Sequence, residues 1–152
     1  MSDLETRLKS EIRDVPDFPK AGILFKDITP LLQNPETLSS INDAFHDRTA
    51  ALDYDVIFAI ESRGFIFGTP LGVKARKGVV LVRKPGKLPA RTEAVTYELE
   101  YGSDTLEVHA DAINPGDRVL VVDDLLATGG TARATCELVE ARWGCGWACV
   151  CD

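Results

Sequence analysis

The run Asp117–Thr131, DRVLVVDDLLATGGT, constrains the fold more than any other stretch of the chain. Arg118–Val122 is short, apolar and β-branched, the composition of a strand buried on both faces. It ends in two adjacent carboxylates, Asp123 and Asp124, where such a strand leaves its sheet. A turn of small residues follows, Ala127-Thr128-Gly129-Gly130-Thr131, and then a helical pattern with Ala132, Cys136 and Val139 on one face. Strand, small-residue turn and helix N-terminus is an arrangement that binds phosphate. Free backbone N–H groups and the positive end of the helix dipole converge there, and glycines let the anion approach. The two carboxylates repel a bare phosphate, so they need sugar hydroxyls or a magnesium ion as partners. A phosphorylated sugar meets both demands. A P-loop nucleotidase also ends a strand in acidic residues, but it requires G-x-x-x-x-G-K-[ST] upstream, and here Gly86-Lys87 is followed by Leu88.

A chain of 152 residues is expected to form a single domain, 1–152. Its formal net charge of −7 argues against nucleic acid as a partner. The amino end, MSDLETRLKSEI, is polar and does not read as a signal peptide, and no run approaches the roughly 18 apolar residues of a membrane span. A cytoplasmic enzyme or regulator, with no membrane partner, is the expected class.

In chain order, Ser2-x-x-Glu5 is a capping box, and Leu4, Leu8 and Ile12 repeat at helical spacing, predicting a helix over about 3–13. Pro16, Pro19 and Gly22 break it. Phe18–Leu32, FPKAGILFKDITPLL, reads as a packed surface loop. Asn34-Pro35 opens a second helix with Leu38, Ile41 and Phe45 inward. Val56–Glu61 is a buried strand followed by Ser62-Arg63-Gly64 and a helical segment to about Arg76. Within it Pro70 puts the helix start or a kink near Thr69, and Gly68 and Gly72 allow close packing on a sheet. Gly78–Lys84 is a further strand, Gly86–Ala94 a mobile loop, and Val95–Tyr101 with Thr105–Ala110 a strand pair around Gly102-Ser103. Strands alternating with helices imply an α/β fold with a mainly parallel sheet. Ligands then lie outside the carboxyl ends of the strands, where Glu61 to Gly64, Arg83-Lys84 and Asp123 to Thr131 collect.

Three further runs accompany the phosphate signature: FPKAGILFKDITPLL, IESRGFIFG, and RKPGKLP with YELEYG downstream. In this order and spacing, over about residues 15–142, the chain resembles the type I phosphoribosyltransferase family, and the first run and ESRGF resemble its adenine branch. The resemblance implies the type I phosphoribosyltransferase fold, a mainly parallel twisted sheet flanked by helices. It also implies a small N-terminal hood at about 15–33 and a core at about 55–142. The implied activity is that of a glycosyltransferase of purine salvage, converting adenine and phosphoribosyl pyrophosphate (PRPP) to AMP and pyrophosphate with Mg²⁺, in a homodimer. By the same resemblance Ala127, Thr128, Gly129, Gly130 and Thr131 hold the 5-phosphate, and Asp123 and Asp124 face the ribose hydroxyls. Arg83, Lys84 and Lys87 surround the pyrophosphate. Glu61-Ser62 matches a peptide that takes a non-proline cis form and presents backbone to pyrophosphate, and Arg63 lies beside it and the base. Leu24 and Phe25 match the part of the hood that reads adenine, Glu100 matches the carboxylate that handles the purine proton, and the loop at 86–97 matches a lid. No residue is expected to ligate Mg²⁺ directly, the ion being held mainly through substrate and water.

Two alternatives accompany this reading: a phosphoribosyltransferase of 6-oxopurines, and a non-catalytic regulator that binds PRPP. The end of the chain departs from the family pattern. Ala141–Asp152, ARWGCGWACVCD, holds both tryptophans and three of the four cysteines. Its C-x-x-x-C-x-C spacing lacks a second half or a nearby histidine, so it does not read as a metal site. It reads as an atypical, truncated tail of the kind a frameshift near residue 141 produces, with Gly146–Cys151 apolar enough to serve as a substitute strand.

Overall fold

The computed structural model describes residues 3–98, 103–124, 129–143 and 146–150, which fall into two compact units, Met1–Phe45 and His46–Asp152. In the first, α1 (Asp3–Glu11) keeps Leu4 and Leu8 half-buried; Ser2 of the capping box lies outside the described residues. The stretch expected to be a loop is instead ordered by pairing. β1 (Arg13–Pro16) and β2 (Leu24–Asp27) form an antiparallel pair with Val15 opposite Phe25, and α2 (Thr29–Gln33) follows. The residues that stop α1 are the ones that close this hairpin. Asp17 takes a positive φ of 57°, the Phe18–Pro19 peptide is cis, and Gly22, at φ 85°, donates its N–H to Asp17 Oδ1 at 2.7 Å. Phe18 N–H then bonds the Ile23 carbonyl at 3.2 Å.

Asn34 caps α3 (Pro35–Thr49) as the sequence predicts, its Oδ1 accepting from the N–H groups of Glu36 and Thr37 at 3.1 and 3.3 Å. The buried stripe of α3 is Thr37, Ile41, Phe45 and Thr49, with Leu38 only half-buried. Thr37 tolerates full burial because its hydroxyl donates to Glu11 Oε1 at 2.9 Å.

The second unit is built on a four-stranded parallel sheet in the order β4 (Gly78–Val82), β3 (Val56–Ile60), β7 (Val119–Val122), β8 (Trp147–Val150). All residues of β3 and β7 are buried, as their near-continuous apolar sequences require. Side chains alternate across the sheet. Val56, Phe58 and Ile60 join Val119, Val121, Cys136, Leu138 and Val139 in one core, which packs α5 (Gly130–Trp143) on that face. Ile57 and Ala59 point to the other face, towards α4 (Gly64–Ala75).

α4 starts at Gly64 and ends at Ala75, as the helical segment after Ser62-Arg63-Gly64 predicts, and it carries Pro70 inside it, so Thr69 is not the helix start. Close packing accounts for this. A Cβ on Gly68 would stand 2.7 Å from the Ala59 Cβ, and one on Gly72 would stand 2.4 Å from Val79 Cγ2. Gly64, Gly68 and Gly72 hold the helix against β7, β3 and β4 in turn, so tertiary contact outweighs the local proline signal. It ends where Arg76 turns left-handed, at φ 56°.

β5 (Thr92–Glu98) and β6 (Ser103–His109) pair antiparallel from Thr92↔His109 to Glu98↔Ser103. The pairing begins three residues before the expected strand, so residues 92–97 of the expected lid are strand, and the irregular segment runs only from Arg83 to Arg91. A bridge between Arg83 and Glu107 anchors its start. β8 lies within the stretch expected to serve as a substitute strand and pairs parallel with β7, with Val119 opposite Trp147. Among the described residues no helix is long and apolar enough to cross a membrane.

Candidate active site

Because β4, β3 and β7 are adjacent and parallel, the segments that leave their carboxyl ends emerge side by side. Gly64 sets the spacing between two of them. A Cβ at this position would lie 2.7 Å from the Val122 carbonyl oxygen and 3.4 Å from Asp123 Cα, so only glycine lets α4 start directly against the end of β7. That contact brings Arg63 to the acidic pair, with its Nε 3.1 Å from Asp124 Oδ2. The approach is an ion pair without hydrogen-bond alignment. Among the described residues, the buried Asp124 Oδ2 thus has no hydrogen-bond donor, in a side chain only 6% exposed. Asp123 accepts the Asp124 N–H at 2.9 Å. Burial, reinforced by the neighbouring Asp124 charge, pushes the Asp123 carboxyl up to about 7, although that N–H and Arg63 pull the other way.

The β3 and β4 ends form a second cluster. The Glu61–Ser62 peptide is cis. The Glu61 carboxylate accepts from Lys87 Nζ at 2.7 Å, from the Lys84 N–H at 2.8 Å and from Arg83 Nε at 3.2 Å. Burial pushes this carboxyl up, but those three donors and the Arg83 charge outweigh it and hold it at about 2. Arg83 Nη1 also donates to the Lys87 carbonyl at 3.3 Å, which folds the loop back on itself. Lys84 Nζ pairs instead with Asp104 on β6. That carboxyl, pushed up by burial, is nonetheless held below its usual range by Lys84 and the Thr105 N–H.

At the start of α5, Gly129 takes φ 76° and Gly130 opens the helix. The first intrahelical bond runs from the Arg133 N–H to the Gly129 carbonyl at 2.9 Å, so the N–H groups before it belong to the unsatisfied first turn. The Thr131 hydroxyl lies 3.2 Å from the Tyr97 hydroxyl, which in turn reaches Asp104 Oδ2 at 3.5 Å. Of the residues singled out from sequence, this unit thus joins Arg63, Asp123 and Asp124 in one set of contacts and Glu61, Arg83, Lys84, Lys87 and Thr131 in another. Ala127, Thr128 and Glu100 lie outside the described residues. Leu24 and Phe25 belong to the first unit, where Leu24 is 53% exposed and the Phe25 ring meets Phe18 edge-on at 5.2 Å. Ser62 is exposed.

Sequence reasoning missed Asp104 and the structural role of Gly64. Asp104 sits on an alternating strand whose spacing carries no site signal, and it meets Lys84 because β6 bridges the end of β4 at Arg83 and Glu107. Gly64 follows ESR in a stretch where any small residue suits a turn.

Among the described residues, no three His, Cys, Asp or Glu side chains converge to hold a metal ion. The two carboxylates at the end of β7, one with a buried oxygen that has no hydrogen-bond donor among the described residues, fit Mg²⁺ reached through water and substrate, the mode this ion favours.

Residues 27–152 match the family model described as the phosphoribosyl transferase domain. The adenine phosphoribosyltransferase of Rubrobacter xylanophilus is 59% identical over 137 residues, covering 90% of this chain and 74% of the relative. The solved structure of adenine phosphoribosyltransferase from Thermoanaerobacter pseudethanolicus superposes with a TM-score of 0.92 at 49% identity, covering 97% of this chain and 86% of that one. That from Saccharomyces cerevisiae, complexed with an iminoaltritol 1,6-bisphosphate and adenine, gives 0.88 at 39% identity, with 99% and 89% covered. On the fold, the paired strand ends and these relatives together, the chain belongs to the adenine phosphoribosyltransferase family.

Proposed function

We infer that the chain transfers the phosphoribosyl group of PRPP to adenine, giving AMP and pyrophosphate in purine salvage, with Mg²⁺, as a cytoplasmic homodimer. The observation that carries this reading is the juxtaposition at one sheet end of two opposed subsites. One is the acidic pair beside the α5 N-terminus, and the other is the basic cluster around Glu61. PRPP has matching ends. In this assignment the first turn of α5, with Ala127–Thr131, holds the 5-phosphate, and Asp123 and Asp124 accept the ribose hydroxyls. Arg83, Lys84, Lys87, Arg63 and the Glu61–Ser62 backbone receive the pyrophosphate. Adenine is assigned to Leu24, Phe25 and Arg63.

The reaction breaks the bond from sugar C1 to the pyrophosphate oxygen and forms one from C1 to a purine nitrogen. The electron pair of the broken bond stays on pyrophosphate, and the basic side chains stabilise that charge as it grows. Mg²⁺, when bound, supplies further neutralisation of the leaving group. Glu100 handles the proton on the purine ring. Glu61 and Asp104 hold Arg83, Lys87 and Lys84 in place before substrate arrives, so these cations need little reorganisation. The adenine assignment stands on the relatives; the alternatives of a 6-oxopurine substrate or a non-catalytic regulator have no such support. The test is AMP formation from adenine and PRPP with and without Mg²⁺. Mg²⁺-dependent AMP supports the reading, and PRPP binding without turnover would establish the regulator instead.

A further inference from the structure

The first turn of α5 contains one side chain whose proton has two possible destinations. Thr131 Oγ1 lies 3.2 Å from the Tyr97 hydroxyl, and Tyr97 lies 3.5 Å from Asp104 Oδ2. Each hydroxyl has one proton to give. If Tyr97 gives its proton to Asp104, Thr131 must give its own to Tyr97, and the phosphate-facing turn gains only a lone pair. If Tyr97 gives its proton to Thr131, the Thr131 proton is available to an anion.

The contacts around Asp104 decide between the two. Its Oδ2 already receives Lys84 Nζ, and its Oδ1 receives the Thr105 N–H at 2.8 Å. Lys84 already neutralises that carboxylate, and the Tyr97 hydroxyl lies closer to Thr131 Oγ1, at 3.2 Å, than to Asp104, at 3.5 Å. Tyr97 is half-buried on β5, the strand that packs against α5, so its hydroxyl is held at the helix start by the fold.

We propose that Tyr97 is a positioning residue for sugar-phosphate binding: its hydroxyl donates to Thr131 Oγ1 and turns the Thr131 proton toward the phosphate at the start of α5. This rests on the reading of that turn as the 5-phosphate subsite. Tyr97→Phe removes one oxygen and keeps the ring. Calorimetry with ribose 5-phosphate, and separately with pyrophosphate and Mg²⁺, reads the two subsites apart. The expected result is about five-fold weaker ribose 5-phosphate binding in Y97F, with pyrophosphate affinity within about two-fold of wild type. In a Thr131→Ala background, Y97F adds no further loss, because the group it positions is gone.

An undiminished affinity in Y97F, or equal losses in both backgrounds, overturns the proposal. Wild type failing to bind ribose 5-phosphate overturns the functional reading and the proposal together. A second measurement needs no variant of Tyr97. The chain has three tyrosines, so ¹³Cζ-tyrosine resonances can be assigned through Y54F and Y101F. Adding ribose 5-phosphate to wild type shifts the Tyr97 resonance; an unmoved resonance at saturation overturns the proposal even if Y97F does not fold.

Discussion

Asp123→Asn separates what the acidic pair does for the site from what it costs the fold. The Asp123 carboxyl rises from an ordinary value of 3.8 to about 7 because it is buried beside Asp124. A carboxyl whose folded-state pKa exceeds its unfolded one binds more protons when folded, so the stability of the fold falls as pH rises from about 4 to about 7 and levels beyond. A rise of that size corresponds to about 4 kcal/mol at most, and about 2 kcal/mol is a realistic expectation for a pair that can relax. Asn carries no charge at any pH and keeps an oxygen in place for the Asp124 N–H. Urea unfolding at about pH 5 and about pH 8.5 measures the difference. D123N should be about 2 kcal/mol more stable than wild type at the higher pH, with a clearly smaller advantage at about pH 5, while binding ribose 5-phosphate less well. Parallel pH profiles for the two proteins would refute the reasoning, since they would mean the carboxyl is not held protonated by its surroundings.

Two other perturbations follow from the same strand ends. Gly64→Ala places a methyl 2.7 Å from the Val122 carbonyl, so α4 must withdraw from β7. The expected cost is about 1–3 kcal/mol of stability, with a raised KM for PRPP as Arg63 moves from Asp124; steady-state kinetics and thermal melts read both. Glu61, depressed from 4.5 to about 2, contributes stability that is present above its unfolded pKa and is lost as pH falls through about 2. Glu61→Gln should remove about 1–2 kcal/mol of it at neutral pH, a figure discounted because Lys87 is half exposed, and should flatten the acid-unfolding curve followed by circular dichroism.

The parts of this molecule legible in its sequence are those fixed by local chemistry. The apolar runs of β3 and β7, the Asn34 cap, the glycines of α4 and the acidic pair before a glycine turn each carry their structural reason within a few residues. What is not legible depends on pairing across distance. The hairpin of β1 and β2 hides in a proline-rich stretch that reads as a loop, because its order comes from strand register and from the turn at Asp17–Gly22 rather than from periodicity. Whether Pro70 starts α4 or lies inside it is open in the sequence, because contact with Ala59 and Val79 is invisible until the sheet is assembled. The loop read over Gly86–Ala94 is too long by three residues because Thr92–Ala94 carries little strand signal of its own and is ordered by pairing with β6. At the site, residue types identify the basic and acidic groups, but not their partners. The pairing of Lys84 with Asp104 belongs to the bridge between β4 and β6, and that of Tyr97 with Thr131 to the packing of β5 on α5.

The central claim is that these strand ends transfer a phosphoribosyl group to adenine in particular. The most direct measurement is kcat/KM for adenine, hypoxanthine, guanine and xanthine with saturating PRPP and Mg²⁺. The account predicts AMP formation from adenine with the three 6-oxopurines at least about a hundred-fold poorer, the scale on which a site built to hydrogen-bond one exocyclic group rejects another. Equal or better turnover of any 6-oxopurine would contradict it.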